Sequence, residues 1–280
     1  LYDGIRYTYG TKTGTYDYYN GGILGGTLIR VNQDGDFNVS HRYLNEKEMS
    51  DRTAASFTIT IFSDVHHDLN DYGGFYCTES LEKLAQILKE TPGSRFYISL
   101  GDAVNSCYDS LNNYYDVMAK LKEYGLNIFN NDEIGYIEGN RLIFNLLGNH
   151  EVAYSVKSLF MDYVPYVEGV GSTAVYKYED IMFVAIDALF TRTGSDDPSD
   201  IITCTQFTIP DAEIAWLKDE IANQMDSSIK GIVWISHVAL QDIDSASQTK
   251  LFNELRSYNL PITVFEGHTH IEAFRQLKDA

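Results

Sequence analysis

Beyond residue 56 the chain alternates between two patterns of apolar and polar positions. Short runs rich in β-branched and aromatic residues predict strands, and the amphipathic stretches between them predict helices. This alternation is typical of an α/β domain. The predicted strands are residues 57–62, 96–100, 142–146, 175–178, 182–186, 232–235 and 262–265. The predicted helices are residues 79–90, 112–124, 211–224 and 246–258.

The first 48 residues have a different pattern. Tyrosine, glycine and threonine dominate, and two alternating runs flank Asp34 and Gly35, which is a hairpin signature. We expect strands and surface loops without a helix in this segment.

Five of the predicted strands end in polar side chains. In open α/β sheets ligands bind at the carboxyl ends of the strands, so we expect these side chains to converge on one point. Glycines at 101, 148 and 267 allow the sharp backbone turns that this convergence requires. The polar residues concerned are Asp64, His66, Asp102, Asn149, His150, His237, His268 and His270.

These side chains suit a metal site. Imidazole and carboxylate groups together favour zinc, iron or manganese, and five of the seven histidines lie at these strand ends. The candidate ligands outnumber the four that one tetrahedral zinc needs. The sequence therefore predicts two divalent ions that share a bridging ligand, and it leaves the identity of the metal open.

Composition and charge limit the classes of molecule that this protein is expected to bind. A chain of 280 residues, 44% hydrophobic and 22% charged, is long enough to bury a substantial core, and we expect one globular domain. The formal net charge of -19 opposes non-specific binding to nucleic acid or an anionic membrane. A small anionic substrate stays compatible with this charge, because bound cations reverse the local sign.

Two further features bear on cellular context. The three cysteines form no CxxC pair, so neither a disulfide framework nor a thiolate zinc site is indicated. No apolar stretch is long enough to span a bilayer, and no signal-like segment follows Leu1. We expect a cytoplasmic protein, or a secreted one whose signal has been removed from this chain.

In order, the blocks "DVH" at 64–66, "GDAVN" at 101–105, "GNHE" at 148–151, a lone histidine at 237 and "GHTH" at 267–270 each follow a predicted strand. This series resembles the calcineurin-like metallophosphoesterase superfamily over residues 57 to about 272. One block alone would be weak, whereas five in the right order are highly specific. The resemblance implies a four-layer α/β/β/α sandwich with mixed sheets.

The resemblance also implies a set of metal ligands. Asp64, His66, Asp102 and His270 would bind one ion, and Asp102, Asn149, His237 and His268 the other. Asp102 would bridge the two ions. Two divalent ions bring four positive charges against the two negative charges of Asp64 and Asp102, so a phosphate would meet a locally cationic site.

The implied activity is hydrolysis of a phosphoester by metal-activated hydroxide. His150 would stabilise the transition state or protonate the leaving oxygen, so His150 and the bridging Asp102 are the catalytic candidates. The expected substrate is a small phosphomonoester or phosphodiester. The alternatives are a nuclease of the same superfamily, which would need a basic groove, and a non-catalytic binding module that metals merely stabilise.

Two neighbouring residues, Asn105 and Glu151, have two possible interpretations each, and a third, His67, has one. Asn105 either supports the site or caps a turn. Glu151 either orients a ligand or is an acidic residue at a helix start. His67 is expected at the surface or the rim, because its neighbour His66 takes the ligand position.

At two positions this chain differs from particular subfamilies of the superfamily, and each difference argues against membership of that subfamily. Ser106 stands where protein Ser/Thr phosphatases carry arginine, which argues against phosphoprotein substrates. Asn105 stands where purple acid phosphatases carry tyrosine, so no iron-tyrosinate colour is expected.

Members of this superfamily usually continue with further strands after the GHxH block, but this chain stops at Ala280. We therefore expect a catalytic domain at residues 49–280, preceded by a β-rich segment at 1–48. Our hypothesis is that residues 1–48 are circularly permuted closing strands of the same domain. The alternative is an added lobe. The sequence leaves the oligomeric state open.

Overall fold

The computed structural model describes residues 5–9, 25–31, 37–43, 57–67, 78–90, 94–105, 110–128, 141–153, 155–201, 206–270 and 274–275. The strands are β1 (Ile5–Tyr9), β2 (Gly25–Val31), β3 (Phe37–Tyr43), β4 (Phe57–Phe62), β5 (Tyr97–Ser99), β6 (Asn127–Ile128), β7 (Arg141–Asn145), β8 (Ala174–Tyr178), β9 (Ile181–Ile186), β10 (Phe190–Thr191), β11 (Phe207–Thr208), β12 (Gly231–Ser236), β13 (Ile262–Glu266) and β14 (Phe274–Arg275). The helices are α1 (Thr78–Glu90), α2 (Ser110–Glu123), α3 (Asn149–Val152), α4 (Pro198–Ile201), α5 (Asp211–Gln224) and α6 (Ser245–Ser257).

Two six-stranded mixed sheets carry the fold. The first has the strand order β3-β2-β4-β5-β7-β6, and the second has the order β14-β1-β13-β12-β9-β8. Within them β4, β5 and β7 run parallel, as do β9, β12, β13 and β1. Strands β10 and β11 form a separate two-stranded hairpin.

The strand sequences explain the layering, because both faces of these strands are apolar. In β9, Phe183 belongs to the cluster packed between the two sheets, whereas its neighbours Met182 and Val184 belong to the cluster that includes residues of the helices. In β12, Val233 and Trp234 divide in the same way. Successive side chains of a strand point to opposite faces, so each sheet is covered by the other sheet on one side and by helices on the other. The predicted four-layer α/β/β/α sandwich is confirmed.

The predicted strands and long helices are all present, with boundaries shifted by one or two residues. Asp244 caps α6, where its side chain accepts hydrogen bonds from the backbone N–H groups of Ala246 and Ser247. Beyond residue 56, the elements that the pattern missed are two to four residues long, too short to show a period. No helix among the described residues is long and apolar enough to cross a bilayer.

The amino-terminal strands enter both sheets. β2 and β3 pair antiparallel, as the hairpin signature predicted, and β2 also pairs antiparallel with β4 at the edge of the first sheet. β1 lies in the second sheet, parallel to β13. Ile29 of β2 shares the cluster between the sheets with Phe265 of β13. The origin of this arrangement by permutation, and the domain boundary at residue 48, stay predictions.

Candidate metal centre

The carboxyl ends of the parallel strands in both sheets face one point. Asp64 follows β4, Asp102 follows β5 and Asn149 follows β7, all in the first sheet. His237 and His268 follow the adjacent strands β12 and β13 of the second sheet. The two sheets are stacked, and their ends therefore bring residues far apart in sequence into contact.

The backbone turns sharply where the candidate ligands leave the strands. Five of them have a positive φ, between 50° and 66°. For residues other than glycine this left-handed conformation costs free energy, although Asp, Asn and His tolerate it better than most. Such conformations cluster at functional sites, where surrounding contacts enforce them. The five residues are Asp64, His66, Asp102, His268 and His270.

One group of four residues could hold a metal ion. The ligand atoms of Asp64, His66, Asp102 and His270 all lie within 4.8 Å of one another. His270 Nε2 is 2.9 Å from Asp64 Oδ1 and 3.0 Å from His66 Nε2. His66 Nε2 is 3.7 Å from Asp102 Oδ2.

A second group shares Asp102 with the first. Asp102, His237 and His268 offer ligand atoms that again lie within 4.8 Å of one another. Asn149 Oδ1 joins them, at 3.1 Å from His237 Nε2 and 2.8 Å from His268 Nδ1. His237 Nδ1 lies 2.9 Å from the carbonyl oxygen of Leu100, which fixes Nδ1 as a donor and directs Nε2 into the site.

The donor set fits two divalent ions. The Nε2 atoms of His66 and His270 lie 3.0 Å apart and close to carboxylate oxygens of Asp64 and Asp102, so ligand atoms of the kinds that divalent ions bind are gathered at one point. Carboxylate, imidazole and amide oxygen are ligands of zinc, iron and manganese alike, so the set does not select one metal. Asp102 Oδ2 lies 3.3 Å from His237 Nε2 as well as near His66, which suits a bridging ligand.

The site attracts positive charge. Burial alone would oppose ionisation of the carboxyls, but hydrogen bonds from His270 and His66 hold the pKa of Asp64 well below its usual range. For Asp102 the charges of His237 and His150 likewise outweigh burial and lower the pKa. The negative charge of Asp102 in turn overcomes burial at His237 and raises its pKa to about 9. A proton or a metal ion is therefore bound strongly here.

His150 lies beside the two groups. Its backbone N–H donates to Asp102 Oδ1 over 3.0 Å, and its ring lies 4.6 Å from the ring of His66. Nδ1 lies 2.8 Å from the carbonyl oxygen of Asn105, so a proton on Nδ1 is held there. The role of Asn105 at the site thus runs through its backbone.

Glu151 fits both interpretations of its position, as an acidic residue at a helix start and as a residue that orients a candidate ligand. It lies in the first turn of α3 and is fully buried. Its carboxylate accepts hydrogen bonds from the backbone N–H groups of Asp102, Val104 and Gly148 at 2.5 to 3.0 Å. Burial and the charge of Asp102 raise the pKa of Glu151 to about 7. Glu151 therefore ties the loop after β5 to the loop after β7.

Two glycines permit close approach. A Cβ atom on Gly148 would lie 2.1 Å from Asp102 Oδ1, and one on Gly267 would lie 2.4 Å from Ser63 Oγ. A side chain at either position would displace groups that surround the candidate ligands.

The expectation for His67 was wrong. His67 is buried, and its Nε2 lies 2.8 Å from Asp116 Oδ2 on α2. Its backbone bridges to Val104, which draws the ring inward beneath the loop that carries His66. A neighbour in the ligand position therefore does not force the next side chain out to the rim.

The sequence reasoning missed one polar strand end. Asp187 follows the apolar run "IMFVAI" directly and is buried, as is its ion-pair partner Lys157. An aspartate after a buried strand was the same signal that marked Asp64 and Asp102.

Comparison with known proteins agrees with this geometry. Residues 57–272 match the family model described as calcineurin-like phosphoesterase. A dimetal phosphatase from Danio rerio, known from its crystal structure, is similar with a TM-score of 0.52 and covers 75% of this chain and 80% of its own. The sequence identity is 15%, so this likeness concerns the fold alone. No curated protein sequence matches the chain.

Proposed function

The chain belongs to the calcineurin-like phosphoesterase family, and from this premise we propose that it hydrolyses a small phosphoester at its dinuclear metal centre. As a member of this family it is a metal-dependent phosphoester hydrolase. The substrate and the roles of individual residues are the proposal.

One observation carries the proposal. Asp102 belongs to both groups of convergent ligand atoms, so that two cation sites adjoin at a single buried carboxylate. Paired ions of this kind form a clamp on the attacking and leaving oxygens of phosphoryl transfer.

In this proposal Asp64, His66, Asp102 and His270 hold one divalent ion. Asp102, Asn149, His237 and His268 hold the other. When bound, the two ions would polarise the phosphoryl oxygens and lower the pKa of the attacking water to about 7.

The protein itself positions the reacting groups. His150 keeps one proton on Nδ1 against the Asn105 carbonyl, and in the imidazolium form its Nε2 proton would pass to the leaving oxygen. The bond from the His150 backbone to Asp102 Oδ1 fixes the distance between this ring and the shared carboxylate. Glu151 holds the backbone of Asp102 from the other side.

The substrate class follows from charge. A chain with 21 basic and 40 acidic residues has little material for the basic groove that a nuclease needs. A small phosphomonoester or phosphodiester would contact the metal centre without needing an extended basic groove. There the positive charge of the two ions would exceed the negative charge of the two carboxylates. All eight proposed ligand and acid residues are present, which favours catalysis over a purely structural metal site.

A panel of phosphomonoesters and phosphodiesters, assayed with added Mn²⁺, Zn²⁺ or Fe²⁺ and with a chelator, tests the proposal. We expect hydrolysis that the chelator abolishes. His150→Ala is expected to lower kcat by about 10² to 10⁴.

Asp102→Asn should abolish activity, because it removes a charge from both sites. Asp180→Asn is the matched control, since Asp180 pairs with Lys230 at the amino ends of β9 and β12, away from the centre. Hydrolysis that is indifferent to both the chelator and Asp102→Asn would reject the mechanism.

A further inference from the structure

A buried ion pair lies next to the metal centre but belongs to neither ligand group. Ile186, the last residue of β9, pairs with Ser236, the last residue of β12. Asp187 and His237 therefore leave adjacent strands at the same edge of the second sheet. His237 faces the centre, whereas the carboxylate of Asp187 contacts Lys157.

The pair is enclosed. Lys157 Nζ lies 2.7 Å from Asp187 Oδ2, and both side chains are only 1% exposed. The ring of Phe190, on the hairpin strand β10, covers the ammonium group with its centroid 3.4 Å from Nζ. Neither partner of a pair enclosed in this way can exchange its contact for solvent, so removing one partner would leave an uncompensated buried charge.

The backbone fixes the carboxylate independently. Asp187 Oδ2 also accepts from the N–H of Ser172 at 2.8 Å, and Oδ1 accepts from the N–H of Leu189 at 2.9 Å. The N–H of Asp187 donates to Glu213 Oε1 at 2.8 Å. Backbone hydrogen bonds therefore orient both carboxylate oxygens of Asp187 independently of Lys157.

Lys157 connects this anchor to the segment that carries Asn149 and His150. It opens a short 3-10 helix, Lys157–Phe160, shortly after α3. On its other side the same 3-10 helix packs on the first-sheet layer, where the ring of Phe160 lies 5.0 Å from that of Tyr114 on α2. The segment after α3 is thus held between the two halves of the sandwich.

We propose that Lys157 and Asp187 are positioning residues, whose buried ion pair sets the place of Asn149 and His150 relative to His237 and His268. This inference rests on the proposed function. An apolar contact at this point would fill the same space without the donor–acceptor direction that the ion pair provides. A charged hydrogen bond in an apolar shell allows one arrangement.

The test compares Lys157→Met with the double variant Lys157→Met/Asp187→Asn, which carries no unpaired buried charge. Asp180→Asn is the control at the opposite end of the same two strands. Leu255→Ala, in the buried face of α6, is the control for a general loss of stability. Each protein is examined by thermal unfolding, by Mn²⁺ titration calorimetry and by kcat and KM for the best ester of the wild-type panel.

We expect the double variant to unfold at a temperature comparable to that of Leu255→Ala but to lose about 10- to 100-fold in kcat. KM should change by less than about threefold, because the pair does not touch the substrate. Mn²⁺ affinity at the site that includes Asn149 should weaken by about tenfold, whereas both controls should match the wild type.

Wild-type kcat and Mn²⁺ affinity in the double variant would overturn the proposal. Failure of both variants to fold while Leu255→Ala folds would also overturn it and leave the pair a structural role only. An inactive wild type on the whole ester panel would instead contradict the proposed function, and the Mn²⁺ titration would still decide the role of the pair.

Discussion

Asp102 shows how many constraints meet on one residue of this site. Its φ of 50° is left-handed, its N–H donates to Glu151, and one carboxylate oxygen accepts from the His150 backbone. The other oxygen faces His66 and His237. Every one of these contacts helps to determine where the carboxylate of Asp102 lies, so small changes around Asp102 should affect the proposed metal binding more than folding.

Gly148→Ala tests this at the residue scale. The φ of Gly148 is -106°, which alanine adopts readily, so the obstacle is crowding against Asp102: a Cβ would lie 2.1 Å from its Oδ1, 2.4 Å from its backbone N and 2.7 Å from its Cγ. We expect a folded protein whose Mn²⁺ affinity and kcat each fall by about 10- to 100-fold, measured by titration calorimetry and steady-state kinetics.

Gly169→Ala is the matched control, because a Cβ there meets nothing within 4 Å. Its positive φ of 75° adds backbone strain without touching the site. Wild-type metal binding in Gly148→Ala would show that the placement of Asp102 tolerates displacement.

Helix α5 shows how an element serves two purposes. Its acidic first turn, Asp211 and Glu213, is a conventional helix start that suits the helix dipole. Asp211 is exposed, whereas Glu213 is fully buried and accepts from the backbone of Asp187. Burial and the nearby charge of Asp187 raise the pKa of Glu213 well above its usual range, which favours the neutral form of this side chain in the folded state.

A pH dependence follows at the element scale. The folded state holds a proton on Glu213 that the unfolded state releases above about pH 4.3, so stability is lost as the pH rises above that value. Glu213→Gln stays neutral at every pH and keeps the acceptor oxygen. We expect its stability relative to the wild type to grow with pH, by at most about 1.4 kcal/mol per unit.

Urea unfolding of both proteins between about pH 5 and 8 measures this difference, and the remaining carboxyl groups cancel in the comparison. Asp219→Asn, at an exposed position of the same helix, is the control and should show no such trend. A constant difference between wild type and Glu213→Gln would mean that Glu213 is ionised in the folded protein.

At the scale of the whole molecule, the stacked sheets place a cationic centre in a strongly acidic protein. The formal charge of -19 stays strongly negative when two divalent ions bind. The long-range field therefore repels an anionic substrate, and only the last few ångströms of its approach are attractive.

Ionic strength should therefore raise kcat/KM for phosphoesters. Salt screens the long-range repulsion and leaves kcat unchanged, because contacts within the buried centre are screened little. The increase should be larger for a dianionic monoester than for a monoanionic diester with the same leaving group, measured by steady-state kinetics in low and high salt. A fall in kcat/KM with salt would show that the field of the centre governs the approach.

Much of this molecule can be read from local sequence. The strands and long helices follow from periodicity and from their caps, which depend on residues a few positions apart. The candidate centre was accessible for the same reason, since each of its parts is a short polar block directly after an apolar run. Asp64, Asp102 and Asn149 each stand at a strand end that the sequence itself marks.

Other features depend on contacts between distant residues. The sequence does not indicate that His67 turns inward to Asp116, that Lys157 finds Asp187, or that Glu151 binds the backbone of two separate loops. Nor does it indicate that β1 pairs with β13 rather than with the strands nearest in sequence. Each depends on which surfaces the packed sheets and helices bring together.

The sequence by itself thus determined the elements of this protein, their order and the kinds of side chain at the strand ends. Only the tertiary structure decided which of those side chains share one point and what holds them there. His66 and His270 are separated by 204 residues yet lie 3.0 Å apart. Such proximity is a property of the stacking of two sheets, and local propensity carries no information about it.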